Sequence, residues 1–193
     1  MPPTLPRFVA LCGNPLSGKS TAGKLLESMG FGLVDDGGPM RKIAIEHFGF
    51  SHDDVYTQEG KLRTTKVNGV VMTWRDVVGR LGNALEHQFG ADVIPELAYN
   101  AVPEGKNAYF GSVRREQGWY HANRGALVLE IRRPGAGPSP YEFDRFNAAA
   151  AHAVINNDGD LDQLEARLRA AVEVAACRAG ADRRGHPALA VRR

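Results

Sequence analysis

One eight-residue stretch constrains this chain more than any other feature: Gly13-Asn14-Pro15-Leu16-Ser17-Gly18-Lys19-Ser20 satisfies G-x-x-x-x-G-K-[ST] at every fixed position. It follows Phe8-Val9-Ala10-Leu11-Cys12, an apolar run that reads as a buried parallel strand. From Gly18 the pattern turns helical, with Ala22, Leu25, Leu26 and Met29 at i, i+3, i+4 and i+7, until Gly30 and Gly32 break it. A strand, a glycine-bearing loop and a helix start together turn backbone N–H groups inward and add the positive end of a helix dipole. Such a loop suits a polyphosphate. Gly13, Asn14, Pro15, Leu16, Ser17, Gly18, Lys19, Ser20 and Thr21 are therefore the expected ATP-binding segment. Lys19 can reach the β and γ oxygens, and the Ser20 hydroxyl can ligate Mg²⁺.

The rest of the chain supplies the sheet that such a loop needs. Phe31 to Val34 reads as a second strand, stopped by Asp35-Asp36-Gly37-Gly38, and Pro39 suits the first turn of a helix carrying Met40, Ile43, Ala44 and Phe48. Residues 51–70 read as polar and irregular. Thr73-x-x-Asp76 resembles a capping box for a helix with Trp74, Val77, Val78, Leu81, Leu85 and Phe89 on one stripe, closed by Gly90. Asn107 to Val113, Ala126 to Ile131 and Ala153 to Ile155 read as further strands, and a closing helix carries Leu161, Leu164, Leu168, Ala171, Val172 and Ala175. The segment RPGAGPSP at 133–140 excludes regular structure. Short apolar strands alternating with helices predict an α/β fold with a parallel sheet covered on both faces.

Composition narrows the function by exclusion. A net charge of +2, from 24 basic and 22 acidic residues, is too balanced for a protein that grips a nucleic-acid backbone. Cys12 and Cys177 belong to no CxxC pair, which excludes a disulfide scaffold and a cysteine zinc site. No run approaches ~20 apolar residues, so no membrane span is expected. The opening MPPTLPRFVALCG does not read as a signal peptide, and the expected compartment is the cytoplasm.

The acceptor of the phosphoryl group is harder to read. An alcohol must lose a proton, so its kinase usually supplies a carboxylate base. A phosphate monoester, with a second pKa near ~6, is already mostly dianionic at pH 7 and needs cations instead. The third strand ends Gly111-Ser112-Val113-Arg114 without an acid, and the nearest strand-end carboxylates are Asp35 and Asp36. Cations are better supplied: Arg41 and Lys42 follow strand two, Arg114 strand three, and Arg132 with Arg133 strand four, while Arg75 lies on the capped helix. Strand ends are the edge where open α/β sheets bind ligands. A phosphate acceptor is favoured.

At these residues the chain resembles the bacteriophage deoxynucleoside monophosphate kinases. The resemblance covers most of residues 8–172. Beyond the loop it rests on Thr73-Trp-Arg75-Asp76 with Leu81-Gly82, Phe89-Gly-Ala-Asp92, Val113-Arg114-x-Glu116, Gly125 to Arg133-Pro134, and Ile155-Asn-Asn157-Asp158-Gly159. It implies a P-loop kinase three-layer fold with a mostly parallel five-stranded sheet, in one domain: a core of about 7–34, 105–133 and 151–177, a helical monophosphate-binding lobe of about 35–104, a short lid of about 133–150, and a tail at 178–193 expected to fray. It implies γ-phosphoryl transfer from ATP, with Mg²⁺, to a deoxynucleoside monophosphate, in the host cytoplasm if the chain is phage-encoded. Lys19, Arg132 and Arg133 would be catalytic, with Asn157 and Asp158 bordering the adenine. By the resemblance Arg75 and Arg114 would face the acceptor phosphate or hold the lobe, while Asp35, Asp36, Arg41 and Lys42 are expected on the acceptor side from their strand-end positions. Three departures stand out: Ser112 where the family usually presents Asp, Gly79 and Arg80 where it tends to place Gln, and Ile94 where Trp is common.

Plainer readings stand beside these. Arg132 and Arg133 could be solvated strand-end charges, Arg75 a local pair, and Asp35, Asp36, Asn157 and Asp158 turn formers. Two other functions fit the motif: a kinase of another small acceptor, of the dephospho-coenzyme A or phosphomevalonate type, with Asp35 or Asp36 as base, and a non-catalytic nucleotide-binding module. A homodimer stays open.

Overall fold

The computed structural model describes residues 5–185. In chain order the elements are β1 (Phe8–Cys12), α1 (Lys19–Ser28), β2 (Gly32–Val34), α2 (Gly38–Phe48), α3 (His52–Tyr56), β3 (Thr64–Val67), β4 (Val70–Thr73), α4 (Trp74–Phe89), α5 (Val93–Asn100), β5 (Ala108–Phe110), α6 (Gln117–Asn123), β6 (Leu127–Arg132), β7 (Ala153–Asn156) and α7 (Leu161–Gly185). They group into two compact units, one of residues up to Leu33 and from Pro103 onward, the other Val34–Val102.

The first unit is built on a five-stranded sheet in the order β2-β5-β1-β6-β7. β1 pairs in parallel with β5 and with β6, and β6 pairs in parallel with β7. Parallel neighbours cannot be joined by a tight turn, so helices carry the chain across. Successive strand residues point to opposite faces, and both faces are covered. On one, Val9, Leu11, Leu129 and Ile131 meet Ala22 and Leu26 of α1 and Leu164, Leu168 and Val172 of α7. On the other, α6 packs on β1 and β6, with the His121 ring 4.5 Å from that of Phe110. A fully buried aliphatic side chain stabilises by roughly 1.5–3 kcal/mol, so this cluster is the main source of the unit's stability. The result is the expected α/β fold, a parallel sheet between two helical layers.

The second unit has its own core of Ala44, Phe50, Val55 and Val77, with Trp74 and Leu81 packed against it. Pro39 stands in the first turn of α2, and Gly49, at φ 73°, closes that helix in the left-handed region. Two capping boxes start helices here. Thr73 and Asp76 exchange side-chain and backbone bonds at the head of α4, and Ser51 and Asp54 do so at α3. Segment 51–70 is therefore not irregular. It holds α3, a 3-10 turn at Gly60–Leu62, and β3, which pairs antiparallel with β4. The hairpin turns on Asn68 and Gly69, both at positive φ (46° and 82°), which matches the strand twist and suits Asn-Gly.

Three further boundaries differ from the sequence expectation. The third strand is only Ala108–Phe110, although past it the chain still bonds β1 through Val113 N to Leu11 O at 3.0 Å. α5 and α6 stand where no helix was read. α7 continues to Gly185, through Ala-rich sequence that propagates a helix easily, while residues 186–193 of the expected frayed tail lie outside the described residues.

Candidate active site

The phosphate loop leaves β1 and enters α1 in a tightly determined path. Gly13 (φ 145°) and Gly18 (φ 101°) take backbone conformations closed to most side chains. A Cβ on Gly13 would overlap the Ile131 carbonyl oxygen, and one on Gly18 would overlap the Asn157 amide. Leu16 also has positive φ (64°) and is 76% exposed at the loop tip. Lys19 Nζ donates to the carbonyl oxygens of Gly13 and Asn14, at 2.7 and 2.8 Å. The loop thus holds its own lysine over its mouth.

These residues fit a nucleotide triphosphate with Mg²⁺. No side chain caps the start of α1 and no acid stands in its first turn, so its first N–H groups and dipole suit an anion. Ser17 Oγ is buried with no hydrogen-bond partner among the described residues, a polar atom in the loop that a ligand could satisfy. Ser20, exposed in the first turn of α1, carries the hydroxyl that would hold the metal.

The loop is buttressed from three sides. Asn157 donates Nδ2 to the Ser17 carbonyl oxygen at 2.9 Å, and its backbone N–H donates to Arg132 O at 2.7 Å. Asn14 Nδ2 donates to Ala136 O at 2.9 Å, tying the loop to the segment expected to be the lid. Cys12, under the loop, is buried, and that burial first, then the Glu130 charge, pushes its thiol up to about 12. It stays a neutral packing group.

The predicted cations fall into two sets. Arg132 ends β6, and its guanidinium is gripped by buried Glu130, Nε to Oε1 at 3.0 Å and Nη2 to Oε2 at 2.9 Å. Arg133 follows, exposed, in a turn closed by Ala136 N to Arg133 O at 3.1 Å. Arg114 pairs with Asp144 at 3.2 Å, within the 133–150 segment, and Arg115 and Phe146 form a parallel bridge beside it. That segment is anchored at its far end. Asp158, expected at the adenine, pairs with Arg167 of α7, and the Arg167 guanidinium holds its carboxyl below the usual range.

The other cations belong to the second unit. Asp35 accepts from Arg41 and from Gly37 N (3.1 Å) on Oδ1, and from the Tyr56 hydroxyl on Oδ2 at 3.1 Å. Arg41 also lies over the Tyr56 ring, 5.1 Å from its centroid, and His52 stacks on that ring at 4.2 Å. Asp36 is buried beside this cluster in sequence. Lys42 makes a long, exposed pair with Glu46 at 3.8 Å, which stabilises little. Arg75 is half-buried in the first turn of α4, next to the capping Asp76.

Sequence reasoning missed Glu130 and Tyr56. An acid inside the apolar run Ala126-Leu-Val-Leu-Glu130-Ile131 was the available signal for the first, because such a position is expensive unless paired. Nothing local marks Tyr56.

No family model matches this chain, and no curated protein matches it in sequence. Among solved structures it is similar to dephospho-CoA kinase from Campylobacter jejuni, at 12% identity and TM-score 0.50 over 90% of this chain and 98% of that one. Lower scores relate it to TT1252 from Thermus thermophilus (21% identity, 86% and 96% covered, TM-score 0.45). Shikimate kinase from Aquifex aeolicus vf5 is similar at 14% identity, with 88% and 98% covered and TM-score 0.45. At these identities the likeness is one of fold. The chain shares its α/β fold with the Campylobacter protein.

Proposed function

We propose that this chain is an ATP- and Mg²⁺-dependent kinase whose acceptor is a deoxynucleoside monophosphate. The observation that carries the acceptor reading is Asp35. Both of its oxygens are engaged, by Arg41, Gly37 and Tyr56. The first carboxylate after β2 therefore acts as a counter-ion that orients an arginine, not as a base waiting for an alcohol. A monophosphate acceptor needs no base.

Lys19 and the loop amides hold the β and γ phosphates. Ser20 would hold Mg²⁺, which would supply charge neutralisation during the transfer. An oxygen of the acceptor phosphate attacks the γ phosphorus while the bond from that phosphorus to the bridging oxygen breaks. ADP leaves with the bonding pair, and the acceptor becomes a diphosphate. Arg132 and Arg133 neutralise the transferring group, and Arg41, Lys42, Arg75 and Arg114 are assigned to the acceptor side. Asn157 supports the loop. An oriented guanidinium retains donors for phosphate after one carboxylate has taken two of its five N–H groups.

The test is ADP release from Mg·ATP with each deoxy- and ribonucleoside monophosphate in turn, against dephospho-coenzyme A, shikimate and a no-acceptor blank. Turnover with monophosphates alone is the expected result. Turnover only with the alcohols would overturn the acceptor reading, and ATP binding without turnover on any acceptor would favour a binding module.

A further inference from the structure

Glu130 is an acid set among Leu127, Val128, Leu129 and Ile131 of β6, only 6% exposed. Its register partner on β1 is Cys12, the residue before the phosphate loop. Its carboxylate accepts two bonds from one guanidinium, at 3.0 and 2.9 Å, the fork-to-fork arrangement that fixes orientation as well as distance. The two-residue spacing of Glu130 and Arg132 puts both side chains on one face of β6.

The backbone that carries Arg132 is fixed too. Its carbonyl oxygen accepts from Asn157 N at 2.7 Å, and the Asn157 amide holds Ser17 O at 2.9 Å. One residue earlier, the Ile131 carbonyl packs against Gly13 so closely that a Cβ there would overlap it. Arg132 therefore starts beside the Gly13–Ser20 loop, from a backbone linked to it through Asn157 and preceded by a carbonyl packed on Gly13. Its side chain is 58% exposed, and the Glu130 fork uses Nε and Nη2. The N–H groups on Nη1 remain for an anion.

A buried carboxylate is an expensive way to fill a strand position, and an apolar residue of similar size would usually serve stability as well or better. Its bidentate grip on a half-exposed arginine supplies the reason. We infer that Glu130 is a positioning residue that holds the Arg132 guanidinium toward the terminal phosphate of a nucleotide in the loop. The inference rests on the reading of Arg132 as the cation that meets the transferring group.

Calorimetric titration with Mg·ATP and Mg·ADP, with no acceptor present, tests it independently of the acceptor question. Wild type is expected to prefer ATP, and Glu130→Gln to lose about tenfold in ATP affinity while ADP affinity stays within about twofold. In an Arg132→Ala background the Glu130 substitution is expected to have no further effect. Arg132→Lys, which keeps Glu130 and the charge but loses the fork, is expected to match Arg132→Ala within about threefold. It carries the test should Glu130→Gln fail to fold by circular dichroism. With any active acceptor, Glu130→Gln should lower kcat by about 10- to 100-fold with little change in acceptor KM. A wild type indifferent to ATP over ADP overturns the reading of Arg132 itself. A wild type that prefers ATP, with Glu130→Gln or Arg132→Lys keeping that preference, overturns the role of Glu130 alone.

Discussion

Asn157 and Ser17 lie 140 residues apart in sequence and are joined by one hydrogen bond, Asn157 Nδ2 to the Ser17 carbonyl oxygen at 2.9 Å. Asn157 also closes over Gly18, where no Cβ would fit. Its amide therefore serves the phosphate loop. Removing a hydrogen bond of this kind costs about 1 kcal/mol, or roughly fivefold in an equilibrium constant. Asn157→Ala is expected to weaken ATP and GTP by the same roughly fivefold, because a loosened loop grips any triphosphate less well. Equilibrium binding of the two nucleotides checks this. A loss confined to ATP would return Asn157 to the adenine.

The stability of the first unit should depend on pH through His121. Its ring is buried against Phe110, and that burial, with a lesser contribution from the Arg124 charge, lowers its pKa from 6.5 to about 4. Between those values the unfolded chain binds a proton that the folded chain refuses, so stability rises with pH across the window. It is lost progressively as pH falls from 6.5 toward 4, by about 3 kcal/mol in all at ~1.4 kcal/mol per unit. Urea unfolding at several pH values measures the slope, and His121→Phe should flatten it. An imidazole that titrates near 6.5 by NMR would show that His121 burial does not set this slope.

The strand, loop and helix around Gly13–Ser20 were legible because their signal is local: an apolar run, fixed glycines and a helical stripe in immediate succession. The sheet was legible for a related reason, since strands buried on both faces are continuous apolar runs. The hairpin around Asn68-Gly69 carried its own signal in the turn dipeptide, but Thr-Thr-Lys-Val and Val-Val-Met-Thr alternate too weakly to draw attention. The charge pairings were not legible. Arg114 with Asp144 and Arg41 with Asp35 and Tyr56 depend on how the chain returns upon itself. Arginines that looked like solvated charges or phosphate clamps are held by acids that no spacing rule singles out.

Thr73 and Asp76 test the local reading of the second unit. Thr73 Oγ1 accepts from Asp76 N at 3.1 Å and donates to Asp76 Oδ2 at 2.6 Å, while Thr73 N donates to the same carboxylate at 3.0 Å. Thr73→Ala is expected to cost about 1 kcal/mol. In a chain of this size that lowers the melting temperature by about 2–4 °C. Thr73→Ser, which keeps the cap, should recover most of it. Calorimetry decides, and an Ala variant as stable as wild type would show that the cap contributes nothing.

Asp144 anchors the 133–150 segment. Its side chain is 6% exposed, pairs with Arg114 at 3.2 Å, and accepts from Ser139 Oγ at 3.2 Å, which in turn accepts from Tyr141 N at 3.2 Å. Breaking a buried pair from one side costs about 3–5 kcal/mol when nothing replaces the charge. Asp144→Asn should therefore raise amide exchange across 139–147 by at least about tenfold while exchange in β1 and β6 stays slow. Unchanged exchange in that segment would show that the pair is incidental.

In the proposed reaction the Gly13–Ser20 loop delivers a γ-phosphoryl group to a phosphate monoester. Labelled γ-phosphate followed from Mg·ATP into product, with a deoxynucleoside monophosphate as acceptor, measures that directly in wild type and in Lys19→Ala. Wild type is expected to place label in the deoxynucleoside diphosphate, and Lys19→Ala, still folded, to lose about 100-fold or more of that transfer. Label transferred at an unchanged rate by Lys19→Ala, or never found in the diphosphate, would contradict the proposed reaction.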